Sequence, residues 1–220
     1  MEKEELLKIL NKKGKINLSK ARLEGFDLRG ANLKEANLLG AHLEGANLEK
    51  ANLEEAHLES ANLEGANLKE ANLFGAKLFK ANLSGSKLEK AKLSAAIIAG
   101  ANLDEANLKG ADMTGAVLNE SSLVKAELSG ADLSKAELKD ADLSDAELIS
   151  TKLQMAKLKG TDFEGANLKN ADLKEADLTE ANLFKTNLYG TNLEKANLVG
   201  ATGLTEAQLK KAKNADKAIR

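Results

Sequence analysis

Leucine recurs at every fifth position along most of the chain. Taking each leucine as a centre, the pattern runs from Leu18 to Leu198 through 37 centres without insertion or deletion. Leu fills 34 of the centres, and Ile, Met and Phe fill the other three. A small residue stands two places before almost every centre, with Ile16 and Phe26 as the exceptions. The repeating unit therefore reads A-(N/D)-L-x-x, with polar residues dominating the other places.

A five-residue period fits neither an α-helix nor a continuous strand. On a helix, five residues advance about 500°, so successive leucines lie about 140° apart and form no face. On a strand, the odd spacing sends successive leucines to opposite sides. A single buried face requires the chain to bend by the same amount in every repeat. The pattern therefore predicts an all-β solenoid with Leu inward and coils that stack through backbone hydrogen bonds.

The glycines indicate where the chain bends. Fifteen of the 17 glycines lie two places after a centre, for example Gly65 and Gly110. Glycine tolerates turn conformations that other residues resist. Because Lys, Glu, Asp, Asn or Ser mostly fills the slot elsewhere, the corner does not require glycine. We expect the bend at the last two residues of each repeat, facing water.

The repeating unit resembles that of the pentapeptide-repeat family, as in Ala-Asn-Leu at 31–33 and Ala-Asp-Leu at 131–133. The resemblance covers residues 16–200. It implies a right-handed quadrilateral β-helix with four pentapeptides per coil, hence about nine coils in this chain. At a strand spacing of about 4.8 Å, the rod is roughly 45 Å long.

Both ends of such a rod need short α-helical caps, since an open solenoid exposes strand edges. We therefore divide the chain into three parts: an N-terminal capping helix at 1–15, the β-helix at 16–200, and a C-terminal capping helix with a basic tail at 201–220. In the N-terminal part, apolar residues at positions 6, 9 and 10 have the spacing of one helix face.

The C-terminal part carries the signature of a helix start. Thr205 and Gln208 match the T-x-x-Q capping box, and Leu204, Leu209 and Ala212 can cover the last coil. The basic residues that follow are expected to fray. Some pentapeptide-repeat proteins pair through their C-terminal ends, so these three apolar residues are candidates for a cap or a homodimer contact. We favour a monomer, because few large apolar residues remain beyond those a cap needs.

Composition narrows the class of protein. The 220 residues include 32 basic and 34 acidic ones, and the net charge of −2 gives no general attraction to nucleic acid or anionic membrane. Cysteine is absent, and no apolar run approaches the roughly 18 residues of a membrane span. The N-terminus mixes Glu and Lys through its apolar positions, unlike a secretory signal. We expect a cytoplasmic protein with no membrane partner and no direct contact with nucleic acid.

Few side chains suggest catalysis. His42 and His57 each precede a centre, and no carboxylate or cysteine set surrounds them at metal-ligand spacing, so we interpret both as surface histidines. The sequence holds no P-loop, no G-x-S-x-G and no paired C-x-x-C. A filled Leu/Ala rod offers no obvious pocket. We expect no enzymatic activity, no catalytic residue, no cofactor and no metal.

Departures from the repeat mark candidate interaction surfaces. If every fourth repeat stacks on the same side of the rod, Phe79, Ile97, Ala99 and Val117 form an apolar patch outside the rod near its middle. Exposed apolar patches often mark contacts, although single apolar residues on a surface are normal. We take this patch as the candidate site for a partner protein or for self-association.

Charge along the array is banded as well. Residues 76–95 carry a net charge of +4, and residues 121–150 carry −4. A solenoid turns these stretches into belts around the rod. The belts fit electrostatic docking of a partner or an ordinary solvated surface, and we favour the second interpretation.

Two functions remain open. The leading one is a non-catalytic structural or protein-interaction scaffold with an unidentified protein partner. The alternative comes from the resemblance: the best-known members of the family resemble B-form DNA in shape and charge, bind DNA gyrase and confer fluoroquinolone resistance. Those members are strongly acidic, and several carry loops that interrupt the rod. We favour the scaffold, because this chain is near neutral and its repeats are uninterrupted.

Overall fold

The structure, a computed structural model, describes residues 15–220. The helix expected near the N-terminus, with Leu6, Ile9 and Leu10, lies outside the described residues. From Asn17 to Asn182, the residue before each centre forms a parallel β-bridge with its counterpart four repeats later. Each strand of the array consists of one such bridged residue. Four repeats therefore complete one coil, and corresponding residues of every fourth repeat stack along the rod.

A β-turn follows every centre. The Leu18 carbonyl oxygen accepts a hydrogen bond from the Ala21 N–H at 3.0 Å, and the same contact recurs through the array. The third residue of the turn has a positive φ at all 37 corners, between 54° and 71°. Twenty-two of these corners hold a residue other than glycine. The corner thus always adopts the left-handed region, whichever residue occupies it.

Backbone hydrogen bonds join successive coils. The N–H of Leu18 donates to the Asn37 carbonyl at 2.7 Å, and the N–H of Asn37 donates to the Ile16 carbonyl at 2.9 Å. Because this pair recurs at almost every repeat, the polar backbone of a bridged residue is satisfied without a long strand.

The interior is filled by centres and small residues. All 37 centres are at most 5% exposed, including Ile98, Met113 and Phe163. The slot two places before each centre is buried from Ala36 to Ala196, and in the first coil it is partly buried. Where Thr replaces Ala, its hydroxyl donates to a centre's carbonyl in the preceding coil. The structure confirms the inward placement that the pattern predicts.

The C-terminal segment covers the last coil with two short helical turns. Helix α1 spans Glu206–Leu209, and a 3-10 helix spans Ala215–Lys217. The N–H of Gln208 donates to the Thr205 hydroxyl, and the N–H of Thr205 donates to the Gln208 side chain, which forms the capping box. The Nε2 of Gln208 also donates to two carbonyls at the edge of the last coil, those of residues 183 and 186, at 3.1 and 3.0 Å.

The basic tail is ordered against the rod. Lys213 forms a bridge with Asn192, and Ile219 forms one with Asn197. The expectation that this segment frays is wrong, because the last coil leaves backbone donors and acceptors to which the tail can pair. Within the described part of the chain, no helix has the length and hydrophobicity to span a bilayer.

Candidate interaction surface

The bridge register divides the outside of the rod into four faces. We name them by their first centre: face 1 begins at Leu18, face 2 at Leu23, face 3 at Leu28 and face 4 at Leu33, and each continues at every fourth repeat. An outward side chain therefore stacks on its counterpart in the preceding coil. This register decides which distant residues become neighbours.

The Asn and Asp residues before the centres have a structural role. The Oδ1 of Asn52 accepts a hydrogen bond from the Glu54 N–H at 3.2 Å, which holds the turn. The Nδ2 of Asn52 donates to Asn32 Oδ1 at 3.3 Å in the preceding coil, and that of Asn72 donates to Asn52 Oδ1 at 3.1 Å. The repeated side chain thus fixes each turn and links coils, which explains its recurrence without any chemistry.

The predicted apolar patch lies where face 1 lacks this ladder. Bridges join Lys77 to Ile97 and Ile97 to Val117, so Asn is absent from this part of the stack. Phe79 is 44% exposed and Ile97 is 42% exposed, while Ala99 and Val117 are half-buried. The structure therefore brings the four predicted residues to one outer face of the rod.

The C-terminal candidates face the core, unlike the exposed patch of face 1. Leu209 is buried, and Leu204 and Ala212 pack against the core, so all three face the last coil. A second exposed apolar group surrounds this end, and the sequence reasoning missed it: Phe184, Tyr189, Val199 and Ile219. The signal was available for three of them, because each follows a centre directly, where most repeats carry a polar residue.

Most of the net negative charge of the rod lies on face 2. Counting the outward positions of residues 16–200, face 2 carries a net charge of −6, against 0, +1 and −2 for faces 1, 3 and 4. The three basic residues of face 2 are Arg22, Lys125 and Lys185, and the nine acidic residues are Glu24, Glu44, Glu64, Asp104, Glu105, Asp142, Asp145, Asp162 and Glu164. One face of the rod is therefore acidic, although the net charge of the whole chain is close to zero.

Carboxylates surround one of the two histidines. His42 Nδ1 lies 3.4 Å from Glu44 Oε1, and Glu24 of the preceding coil lies beside both. The prediction that no carboxylate set surrounds His42 is wrong, because the coil register brings Glu24 to it. A backbone N–H bond first, and then Arg22, hold the pKa of the Glu24 carboxyl below its usual range.

A shallow hollow of about 380 Å³ lies further along face 2, between Glu64 and Asp104. Its lining combines three carboxylates, one amide and two glycines around Ser84. The hydroxyl of Ser84 donates to Asn82 Oδ1 at 2.8 Å within its own turn, so its proton is directed to an amide oxygen and not to a general base. The hollow does not show the geometry of a nucleophilic active site.

The sequence profile of pentapeptide repeats matches the chain in eight copies, which cover residues 15–49, 51–89, 86–123, 96–134, 126–165 and 161–200. The chain belongs to the pentapeptide-repeat family. Pentapeptide-repeat proteins form right-handed quadrilateral β-helices, and the bridge register of this chain fits four repeats per coil.

Two solved pentapeptide-repeat structures illustrate the likeness. HetL, a protein involved in heterocyst differentiation regulation from the cyanobacterium Nostoc sp. strain PCC 7120, is 35% identical over 100% of both chains, with a TM-score of 0.58. A trypsin-treated form of QnrB1, a plasmid-mediated fluoroquinolone resistance protein, is 20% identical over 85% of this chain and 92% of its own, with a TM-score of 0.70. The second likeness shows the fold alone. No curated protein sequence matches the chain.

Proposed function

We propose that this pentapeptide-repeat protein is a non-catalytic, cytoplasmic rod that binds a partner protein through face 1. The observation that carries the proposal is the apolar patch of Phe79, Ile97, Ala99 and Val117, which lies where the Asn ladder of face 1 is interrupted. Pentapeptide-repeat proteins are generally non-enzymatic scaffolds. Binding of a partner that removes such a cluster from water lowers the free energy of the complex.

Introducing positive charge into the patch tests the proposal. The double variant Ile97→Lys/Val117→Lys places two cations in the patch, and Asn102→Lys/Ser122→Lys places two in the same slots of face 2. We expect affinity capture from cells that produce the protein to recover a partner with wild type and with the face 2 variant but not with the face 1 variant. Equal recovery by both variants contradicts the proposal.

We further propose that the protein is a monomer. Of the apolar candidates of the C-terminal segment, Leu209 is buried, and Leu204 and Ala212 are partly buried against the core, which leaves little of their surface for a second copy. Light scattering is expected to give a mass near 23.3 kDa. A mass near twice that value contradicts the monomer. If Tyr189→Lys/Val199→Lys then restores the monomer and the face 1 variant does not, the exposed C-terminal group is the contact.

A gyrase-binding DNA mimic is the second candidate, and the acidic face 2 is the observation that favours it. DNA, however, presents phosphates all around its axis, whereas the other three faces of this rod carry little net charge. We expect no protection of DNA gyrase from ciprofloxacin in a supercoiling assay with the protein in excess. Protection that is lost when face 2 carboxylates are changed to amides would establish the mimic in place of the scaffold.

A further inference from the structure

Three metal-ligating side chains meet on face 2 near the start of the described rod. A ring nitrogen of His42 and one carboxylate oxygen each of Glu24 and Glu44 all lie within 4.8 Å of one another. Glu24 belongs to one coil, and His42 and Glu44 belong to the next. Among residues 15–220, this is the one group of three His, Cys, Asp or Glu side chains with this geometry.

The Glu44 carboxylate lacks a partner for one of its oxygens. Its Oε1 accepts a hydrogen bond from Asn62 Nδ2 at 2.7 Å, whereas its Oε2 is shielded from solvent and has no hydrogen-bond partner. A shielded carboxylate oxygen without a partner costs free energy. A cation bound beside it would supply the missing interaction.

We infer that Glu24, His42 and Glu44 bind a divalent transition-metal ion that joins the two coils, with Zn²⁺ as the representative ion. Imidazole nitrogen and carboxylate oxygen are both zinc ligands, and water can complete a tetrahedral shell around three protein ligands. Mg²⁺ and Ca²⁺ fit less well, because both prefer all-oxygen shells. The ion tethers adjacent coils through side chains, in addition to the backbone bonds between them.

The chain contains its own comparison for this site. His57 Nδ1 lies 3.4 Å from Glu59 Oε1, and Glu59 Oε2 is also shielded and unpartnered. Leu39 occupies the position beside His57 that corresponds to the position of Glu24 beside His42. The two His-x-Glu pairs therefore share the same local geometry, and the third ligand distinguishes them. An unpartnered oxygen alone does not make a site, as Glu89 also has one without a histidine nearby.

Arg22 opposes the ion. Its Nε donates to Glu24 Oε1 at 3.1 Å, and its backbone pairs with His42 in the stack. A guanidinium held at this carboxylate repels a second cation and occupies one of its oxygens. Neutralising Arg22 is therefore expected to strengthen metal binding, whereas a site unrelated to Glu24 would not respond.

Zinc titration of the full chain by calorimetry tests the inference. We expect one site, weakened at least about tenfold by His42→Ala and by Glu44→Gln, because each change removes a ligand. The matched variants His57→Ala and Glu59→Gln are expected to bind as wild type does. Arg22→Gln is expected to bind more tightly. Circular dichroism checks that each variant keeps the fold.

The test can also be made by creating a second zinc site. Leu39→Glu supplies the missing third ligand beside His57 and Glu59, so the stoichiometry is expected to rise from one to two. Zinc is also expected to raise the melting temperature of wild type and not that of His42→Ala, since an ion that binds only the folded state stabilises it. Absence of zinc binding overturns the inference. So does binding unaffected by His42→Ala, or binding weakened equally by His57→Ala.

Discussion

Two slots of the repeat are constrained for different physical reasons. The alanine slot, two places before a centre, is buried, and Ala106 is 0% exposed. The corner slot, two places after a centre, faces water and often holds Lys or Glu, but its φ is always positive. Volume therefore limits the first slot, whereas backbone conformation limits the second.

The exceptions in each slot support this distinction. In the alanine slot beyond the first coil the substitutes are Ser and Thr, and Thr151 satisfies its hydroxyl by donating to the Leu128 carbonyl at 2.9 Å. At the corner, Met155 is 51% exposed with a φ of 59°. A side chain that the corner accepts would thus not fit the alanine slot.

Overpacking the alanine slot should produce the largest effect. Ala106→Leu inserts three carbon atoms among fully buried neighbours, so we expect the free energy of unfolding to fall by about 1 to 3 kcal/mol. Chemical denaturation followed by circular dichroism measures it.

The control is Lys69→Leu, which adds the same side chain at an exposed outer position and should change stability by less than about 0.5 kcal/mol. Lys109 is a poorer control, since its Nζ lies 2.6 Å from Glu127 Oε2. Equal losses in Ala106→Leu and Lys69→Leu would contradict the difference between buried and outer slots.

A crowded corner should respond next most strongly. A Cβ at Gly160 would meet the Asp140 carboxylate of the preceding coil, in addition to the strain of its φ of 68°. We expect Gly160→Ala to lower the unfolding free energy by about 2 kcal/mol. In the Asp140→Ala background the same change should cost less, because the steric part is removed. A cost unchanged by Asp140→Ala would show that side-chain volume is irrelevant at this corner.

An open corner isolates the backbone contribution. A Cβ at Gly85 meets nothing within 4 Å, although φ is 61°. Gly85→Ala is therefore expected to cost about 1 kcal/mol, as left-handed strain partly offset by the lower entropy of the unfolded alanine. Thermal denaturation of Gly85→Ala and Gly160→Ala side by side provides the measurement. A neutral Gly85→Ala would mean that the corner imposes no conformational cost.

The sequence predicts periodic features of the fold well and non-periodic ones poorly. The inward leucines, the outward corners and the patch of Phe79 and Ile97 follow from the period of the leucines and the stacking of every fourth repeat. The same stacking places Glu24 and His42 on one face, but the approach of their side chains was missed because it depends on rotamers that the repeat does not fix. The pairing of Ile219 with Asn197 was missed because Ile219 lies in the C-terminal tail, where the five-residue pattern has ended and gives no register.

The smallest effect gives the sharpest comparison, because two adjacent alanines occupy the two slots. Ala95 lies at a corner with a φ of 56°, and Ala96 lies in an alanine slot and is 0% exposed. We expect Ala95→Gly to raise the unfolding free energy by about 0.5 kcal/mol, since relief of strain exceeds the added entropy of the unfolded chain. Ala96→Gly should lower it by about 1 kcal/mol, because it removes a buried methyl and relieves no strain. Denaturation curves that shift both variants in the same direction would show that one constraint governs both slots.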